Sequence, residues 1–157
     1  MNRALYAGSF DPFTLGHLDI VLESSKIFDE VFVCIAQNPN KKRAISEYDM
    51  ADEIRNVVKR YNIENVRVVI CGGLVADYCA KNYIKYLIRG LRNTSDYMYE
   101  ENIAKINTEV NPELRTVYFR ANNEVISSSM VKELYNYGKD IRKYLPDEIL
   151  KFYYAEV

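Results

Sequence analysis

The chain has 157 residues, of which 48% are hydrophobic and 27% charged, with a formal net charge of −1. This size and composition fit one globular domain large enough to bury a core. The near-zero charge balance excludes a global field for nucleic acid or a membrane surface, so any phosphate binding must come from a local cluster of Lys and Arg.

In chain order, Ala4–Ala7 reads as a short apolar strand. Gly16–Phe28 is helical, with Leu18, Val21, Leu22 and Ser25 on one face. Val31–Ala36 is a continuous β-rich run, the mark of a strand buried on both faces. Asn38–Ala44 is a basic polar loop. Ser46 then starts a helix running to about Tyr61, with Asp49 at capping-box spacing. Val66–Ile70 is a third strand, and Leu74–Asn82 a short helix after Gly72-Gly73. Tyr86–Arg89 is a fourth strand ended by Gly90. A long helix covers about Asp96 to Asn111, with Pro112 just beyond it. Thr116–Phe119 is the fifth strand, Ser127–Tyr137 a helix stopped by Gly138, and Pro146–Tyr154 the last helix.

Strand–helix alternation of this kind predicts an α/β fold. It implies a single Rossmann-like domain over residues 1–157, with a five-stranded parallel sheet and helices on both faces. Ligands in such sheets bind outside the carboxyl ends of the strands, where the strand order reverses. Cys34, Cys71 and Cys79 show no C-x-x-C spacing and read as small core hydrophobes of a reducing compartment. The first strand starts almost at Met1, leaving no secretory segment, and no apolar run approaches the ~20 residues of a membrane span. A cytoplasmic protein is expected.

Four polar motifs follow strands. The first is Gly8-Ser9-Phe10-Asp11-Pro12-Phe13-Thr14-Leu15-Gly16-His17, which ends on the one histidine of the chain. Glycines let backbone approach phosphate oxygens, a helix N-terminus offers unpaired N–H groups, and an imidazole there is a directional donor that can become cationic. The second is Asn40-Lys41-Lys42-Arg43, either solvated surface or a basic loop facing the same crevice. The third is Arg89-Gly90-Leu91-Arg92, whose two arginines either grip phosphate oxygens or pair with Asp96 or Glu100. The fourth is Ile126-Ser127-Ser128-Ser129, a helix N-cap with hydroxyls to spare for a second polyphosphate cradle. No G-x-x-x-x-G-K-[ST] and no G-x-G-x-x-G occurs, so P-loop phosphoryl transfer is not expected. A histidine at the α-phosphate favours attack there, with pyrophosphate leaving.

The first, third and fourth motifs, in this order and spacing, resemble those of the bacterial phosphopantetheine adenylyltransferase family of the T/H-x-G-H nucleotidyltransferases. The resemblance implies transfer of the adenylyl group of ATP to 4′-phosphopantetheine by direct in-line attack. The products would be 3′-dephospho-coenzyme A and pyrophosphate, with Mg²⁺ accompanying ATP. It also implies a homohexamer and coenzyme A as a feedback inhibitor. By position, His17, Lys41 and Arg89 would be catalytic. Ser9, Phe10, His17, Gly90, Leu91, Arg92, Glu100, Glu124, Val125, Ile126, Ser127, Ser128 and Ser129 would bind ATP. Ser9, Lys41, Leu74, Val75, Arg89, Ile103, Ile106 and Asn107 would bind the acceptor. A helix-spaced Ile pair and Val75 also fit a plain core reading. Nicotinamide mononucleotide adenylyltransferases and cytidylyltransferases are the nearest rivals. They usually carry a second histidine where this chain has Thr14, and they lack the RGLR signature.

Overall fold

Five strands and five α-helices alternate along the residues that the computed structural model describes, 1–121 and 127–155. They are β1 (Arg3–Gly8), α1 (Leu15–Ile27), β2 (Glu30–Ala36), α2 (Glu47–Arg60), β3 (Val66–Cys71) and α3 (Val75–Lys81). Then come β4 (Tyr86–Leu91), α4 (Thr94–Val110), β5 (Arg115–Arg120) and α5 (Ser128–Asn136). The sheet is parallel throughout, in the order β3-β2-β1-β4-β5. The order reverses between β1 and β4. There the two strands pair only from Ala4 with Tyr86 to Tyr6 with Ile88, whereas β1 stays paired with β2 out to Gly8 with Ile35.

Both faces of the sheet are covered, because successive residues of one strand enter different cores. Ala4 and Tyr6 join the core under α1 and α2 with Val31, Val33 and Ile54. Leu5 and Ala7 join the core under α3 with Cys34, Cys79 and Leu87. Side-chain caps begin four of the helices: Thr14 for α1, Ser46 for α2, Asn93 for α4 and Ser127 for α5. Along α1, Ser24 rather than Ser25 is buried, its hydroxyl satisfied by the Val21 carbonyl at 3.1 Å.

Two expectations need correction. Pro146–Tyr154 is not an α-helix but a 3₁₀ turn over Asp147–Phe152, preceded by another at Arg142–Tyr144. It is held as a turn by docking: Ile149 is fully buried, and Arg60–Glu148 and Lys151–Glu53 ion pairs tie it to α2. The cysteines are not three independent thiols, since Cys34 and Cys71 on neighbouring strands form a disulfide. Cys79 is free, and burial pushes its pKa up to about 12. Among the described residues no helix is long and apolar enough to cross a membrane.

Candidate active site

The carboxyl ends of β1 and β4 splay apart at the reversal of strand order, and a cavity of about 320 Å³ opens between them. Gly8, Phe10 and His17 line one wall; Arg89, Arg92 and Asp96 line the other. The first and third motifs therefore meet because their strands are neighbours in space, although 70-odd residues separate them in sequence.

The loop after β1 has little freedom. Phe10 sits in the left-handed region, at φ 45°, and folds its ring back onto Gly8. A Cβ at Gly8 would lie 3.0 Å from that ring, so only glycine fits without displacing it. The Asp11–Pro12 peptide is cis. Thr14 caps α1 through its hydroxyl, which accepts from the His17 N–H at 3.3 Å, and the Thr14 N–H donates back to His17 Nδ1 at 3.0 Å. Histidine thus stands where a capping box ordinarily has Glu or Gln.

That reciprocal bond fixes the chemistry of the ring. Nδ1 accepts a backbone N–H, so the neutral tautomer carries its proton on Nε2. The ring packs against Phe10 at 4.9 Å and Phe13 at 5.6 Å. Burial, with a smaller contribution from the Arg92 charge, lowers the His17 pKa to about 4. In the free protein at neutral pH the group is a fixed neutral donor rather than the cation the sequence allowed. Tyr6, which sequence reasoning missed, lines the same cavity and is buried, its phenol pushed well above the usual range mainly by burial.

Both arginines of the third motif are paired with carboxylates of α4. Arg89 binds Glu100 through two parallel bonds, Nε–Oε2 at 2.7 Å and a terminal nitrogen to Oε1 at 2.9 Å. Its other terminal nitrogen donates to the Ala7 carbonyl at 3.0 Å. Arg92 pairs with Asp96, which also accepts the Arg92 backbone N–H. Of the alternatives left open by the sequence, the ion pairs are therefore made. An arginine has five N–H groups, and the three Arg89 bonds leave two for a ligand. Leu91 closes β4 with its carbonyl accepting from Ala121.

A second cavity of about 300 Å³ adjoins the first through Ser9 and Ser128. Lys41, Lys42, Ser129 and Lys132 line it, so the basic loop does face the crevice. Ser127 is occupied as the cap of α5, and Ser128 donates to the Pro12 carbonyl at 2.7 Å, tying α5 to the first loop. Glu124, Val125 and Ile126 lie outside the described residues. Lys132 was missed, although its i+4 spacing from Ser128 puts it on the same face of α5. Asp11, also missed, is buried and paired with Lys132 at 3.5 Å.

The residues expected along the acceptor's arm line neither cavity. Leu74 and Ile106 are 57% and 62% exposed, and Val75, Ile103 and Asn107 are half-buried. They lie on α4 and at the start of α3, two helices that pack together. Ile106 is not core, and Val75 packs against the smaller core from its edge.

The cytidylyltransferase-like family model matches residues 5–134. A phosphopantetheine adenylyltransferase from Lachnoclostridium phytofermentans is 41% identical, over 98% of this chain and 94% of its own length. One from Thermotoga neapolitana is 38% identical, over 98% of this chain and 96% of its own length. Among solved structures, a Plasmodium falciparum nicotinic acid mononucleotide adenylyltransferase complexed with NaAD superposes with a TM-score of 0.66. It covers 99% of both chains at 17% identity, a likeness of fold alone. With relatives of this identity along nearly its whole length, the chain belongs to the phosphopantetheine adenylyltransferase family of nucleotidyltransferases.

Proposed function

We propose that the chain transfers the adenylyl group of ATP to 4′-phosphopantetheine, giving 3′-dephospho-coenzyme A and pyrophosphate. An oxygen of the acceptor phosphate attacks the α-phosphorus in line as the bond to the β-phosphate oxygen breaks, without a covalent intermediate. The observation that carries this reading is the meeting of a fixed Nε2–H donor, a glycine loop and two arginines in one cavity that opens onto a lysine-lined one. The nucleophile is already anionic, so the task is to hold two anions together and stabilise charge at phosphorus.

His17 Nε2–H would donate to a non-bridging α-phosphate oxygen, with Ser9 between the two phosphates. Lys41 and the free N–H groups of Arg89 would hold the acceptor phosphate, and Glu100 orients Arg89 through its two bonds. Phe10, Gly90, Leu91, Arg92 and residues 124–129 would hold ATP. Leu74, Val75, Ile103, Ile106 and Asn107 would take the pantetheine arm, and their partial exposure suits a wall that a ligand covers. Mg²⁺ would neutralise charge on the β- and γ-phosphate oxygens. Among the described residues no group of three or more His, Cys, Asp or Glu is placed to hold a metal ion. The exposed Met98 of α4 suits association with further copies, and a homohexamer is our reading, with coenzyme A as feedback inhibitor and the cytoplasm as location. Pyrophosphate release with ATP and, in turn, phosphopantetheine, nicotinamide mononucleotide or glycerol 3-phosphate tests the reading. Turnover with phosphopantetheine alone is expected; turnover with another acceptor in its place would overturn it.

A further inference from the structure

We infer that Arg43 and Asp11 are positioning residues for the transfer, locking the loop that carries Lys41 onto the loop that carries Ser9. The inference rests on the role proposed above for Lys41. Arg43 belongs to the basic run but is committed to the protein. Its Nε donates to the Ile45 carbonyl at 2.8 Å, one terminal nitrogen to the Ser9 carbonyl at 2.6 Å, and the other to the Phe10 carbonyl at 3.4 Å. Its side chain is only 12% exposed, with Glu47 at 3.9 Å. Arg43 also lines the lysine-bearing cavity, but each of its three guanidinium nitrogens already donates to a protein carbonyl.

Asp11 completes the tie in the opposite sense. Its two carboxylate oxygens accept the N–H groups of Ala44, at 2.9 Å, and Ile45, at 3.0 Å. So carbonyls of the first loop accept from a side chain of the second, and amides of the second donate to a side chain of the first. The two loops are more than 30 residues apart in sequence, and these bonds tie one directly to the other. On its other side Lys41 is fixed by a turn in which the Asn38 carbonyl accepts the Lys41 N–H at 3.0 Å. The Asn38 side chain accepts the Asn40 N–H, also at 3.0 Å. Lys41 therefore has two anchors, and the nearer side-chain anchor, Arg43, is two residues away.

The chemistry gives the clamp its importance. Lys41 has to meet one phosphate while Ser9 meets both, and displacing a reacting group by about 1 Å can cost about 10² in rate. The guanidinium is suited to this task because its planar fork reaches several carbonyls at once, which an ammonium on a flexible stem does not.

A double-mutant cycle tests it. Arg43→Met, Lys41→Ala and the double variant are compared for kcat/KM with phosphopantetheine, for the ATP KM and for melting temperature. We expect Arg43→Met to lower kcat/KM for the acceptor by about tenfold while the ATP KM stays within about twofold. In the Lys41→Ala background the same change should cost less than about twofold, because the residue acts through Lys41. A merely structural role, or an independent grip on phosphate, would give the same factor in both backgrounds and overturn the inference. So would an Arg43→Met enzyme with full acceptor kcat/KM. If Lys41→Ala itself has no effect, the reading of Lys41 fails and the inference falls with it. If Arg43→Met does not fold, Asp11→Asn enters the same cycle, since it keeps the shape while replacing one acceptor by a donor, and the same non-additivity is required of it.

Discussion

Replacing His17 with alanine should damage two separable properties, and the structure says by how much. The catalytic loss would come from removing the donor proposed to face charge developing at the α-phosphorus, which typically costs about 10²–10³ in kcat. The ATP KM should change little, because that interaction strengthens only in the transition state. The stability loss comes from the other side of the ring. The Thr14 N–H, on a fully buried residue, would lose its acceptor, at a cost of about 1–3 kcal/mol. The packing against Phe10 and Phe13 would go as well, which brings the total to about 2–4 kcal/mol. For a domain of this length that corresponds to about 4–16 °C in Tm. His17→Gln separates the effects. Its side-chain oxygen can reach back to the Thr14 N–H as a capping box requires, recovering most of the Tm, while kcat stays at least about tenfold below wild type. Steady-state kinetics and thermal melts on the two variants check this. An alanine variant with near wild-type kcat would refute the donor role. A glutamine variant as heat-sensitive as the alanine one would refute the capping account.

Stability should also depend on pH through the same ring. The folded His17 pKa of about 4 lies below its unfolded value of about 6.5, so the unfolded chain binds more protons between them. The contribution is complete above pH 6.5 and is lost as pH falls toward 4; Tm measured from pH 7 to 4.5 should fall less steeply in His17→Gln than in wild type. Glu100→Gln removes the charge that holds Arg89, whose side chain is 25% exposed, and should raise the acceptor KM more than tenfold with a Tm loss of several degrees; an unchanged KM would detach this pair from the acceptor. Gly90→Ala brings a Cβ to 2.5 Å from the Ile20 Cδ1 methyl and should destabilise by about 1–2 kcal/mol, with Ile20→Val restoring most of the loss. Chemical denaturation of the single and double variants decides it, and no rescue would mean that the clash lies elsewhere.

How much of this was readable beforehand follows from which forces are local. Thr14 and Ser46 cap helices through hydrogen bonds three residues long, so α1 and α2 begin within a residue of where the pattern puts them. Val31–Ala36 is apolar because both faces of β2 are covered, and that too is written in the residues themselves. The partners of the two arginines differ in kind. Arg92 and Asp96 are four apart, within reach of local reasoning, whereas Arg89 meets Glu100 only because α4 folds back over the end of β4. The same holds for Cys34 and Cys71, which depend on the register of β2 against β3. Asp11 and Arg43 stand within the quoted motifs, but their tie between the two loops was not legible because each serves backbone groups of a distant loop, a relation without any periodicity or spacing. The proposed arm residues remained ambiguous for a related reason: hydrophobicity alone does not distinguish a buried residue from an exposed one, and the exposure of Leu74 and Ile106 is set by how α3 and α4 pack.

The short pairing between β1 and β4 has a mechanical consequence. The sheet is stitched along the full length of its other seams, but at this one the backbone bonds stop at Tyr6 and Ile88 and leave the crevice open. One half of the phosphate site hangs from β1 and the other from β4, so a nucleotide touching both acts as a strut across the weakest seam. Its binding would then raise the unfolding free energy of the whole domain, by about 2.7 kcal/mol when ligand is present at a hundred times its Kd. The opening that gives access to the chemistry is thus also the seam that a bound nucleotide would bridge.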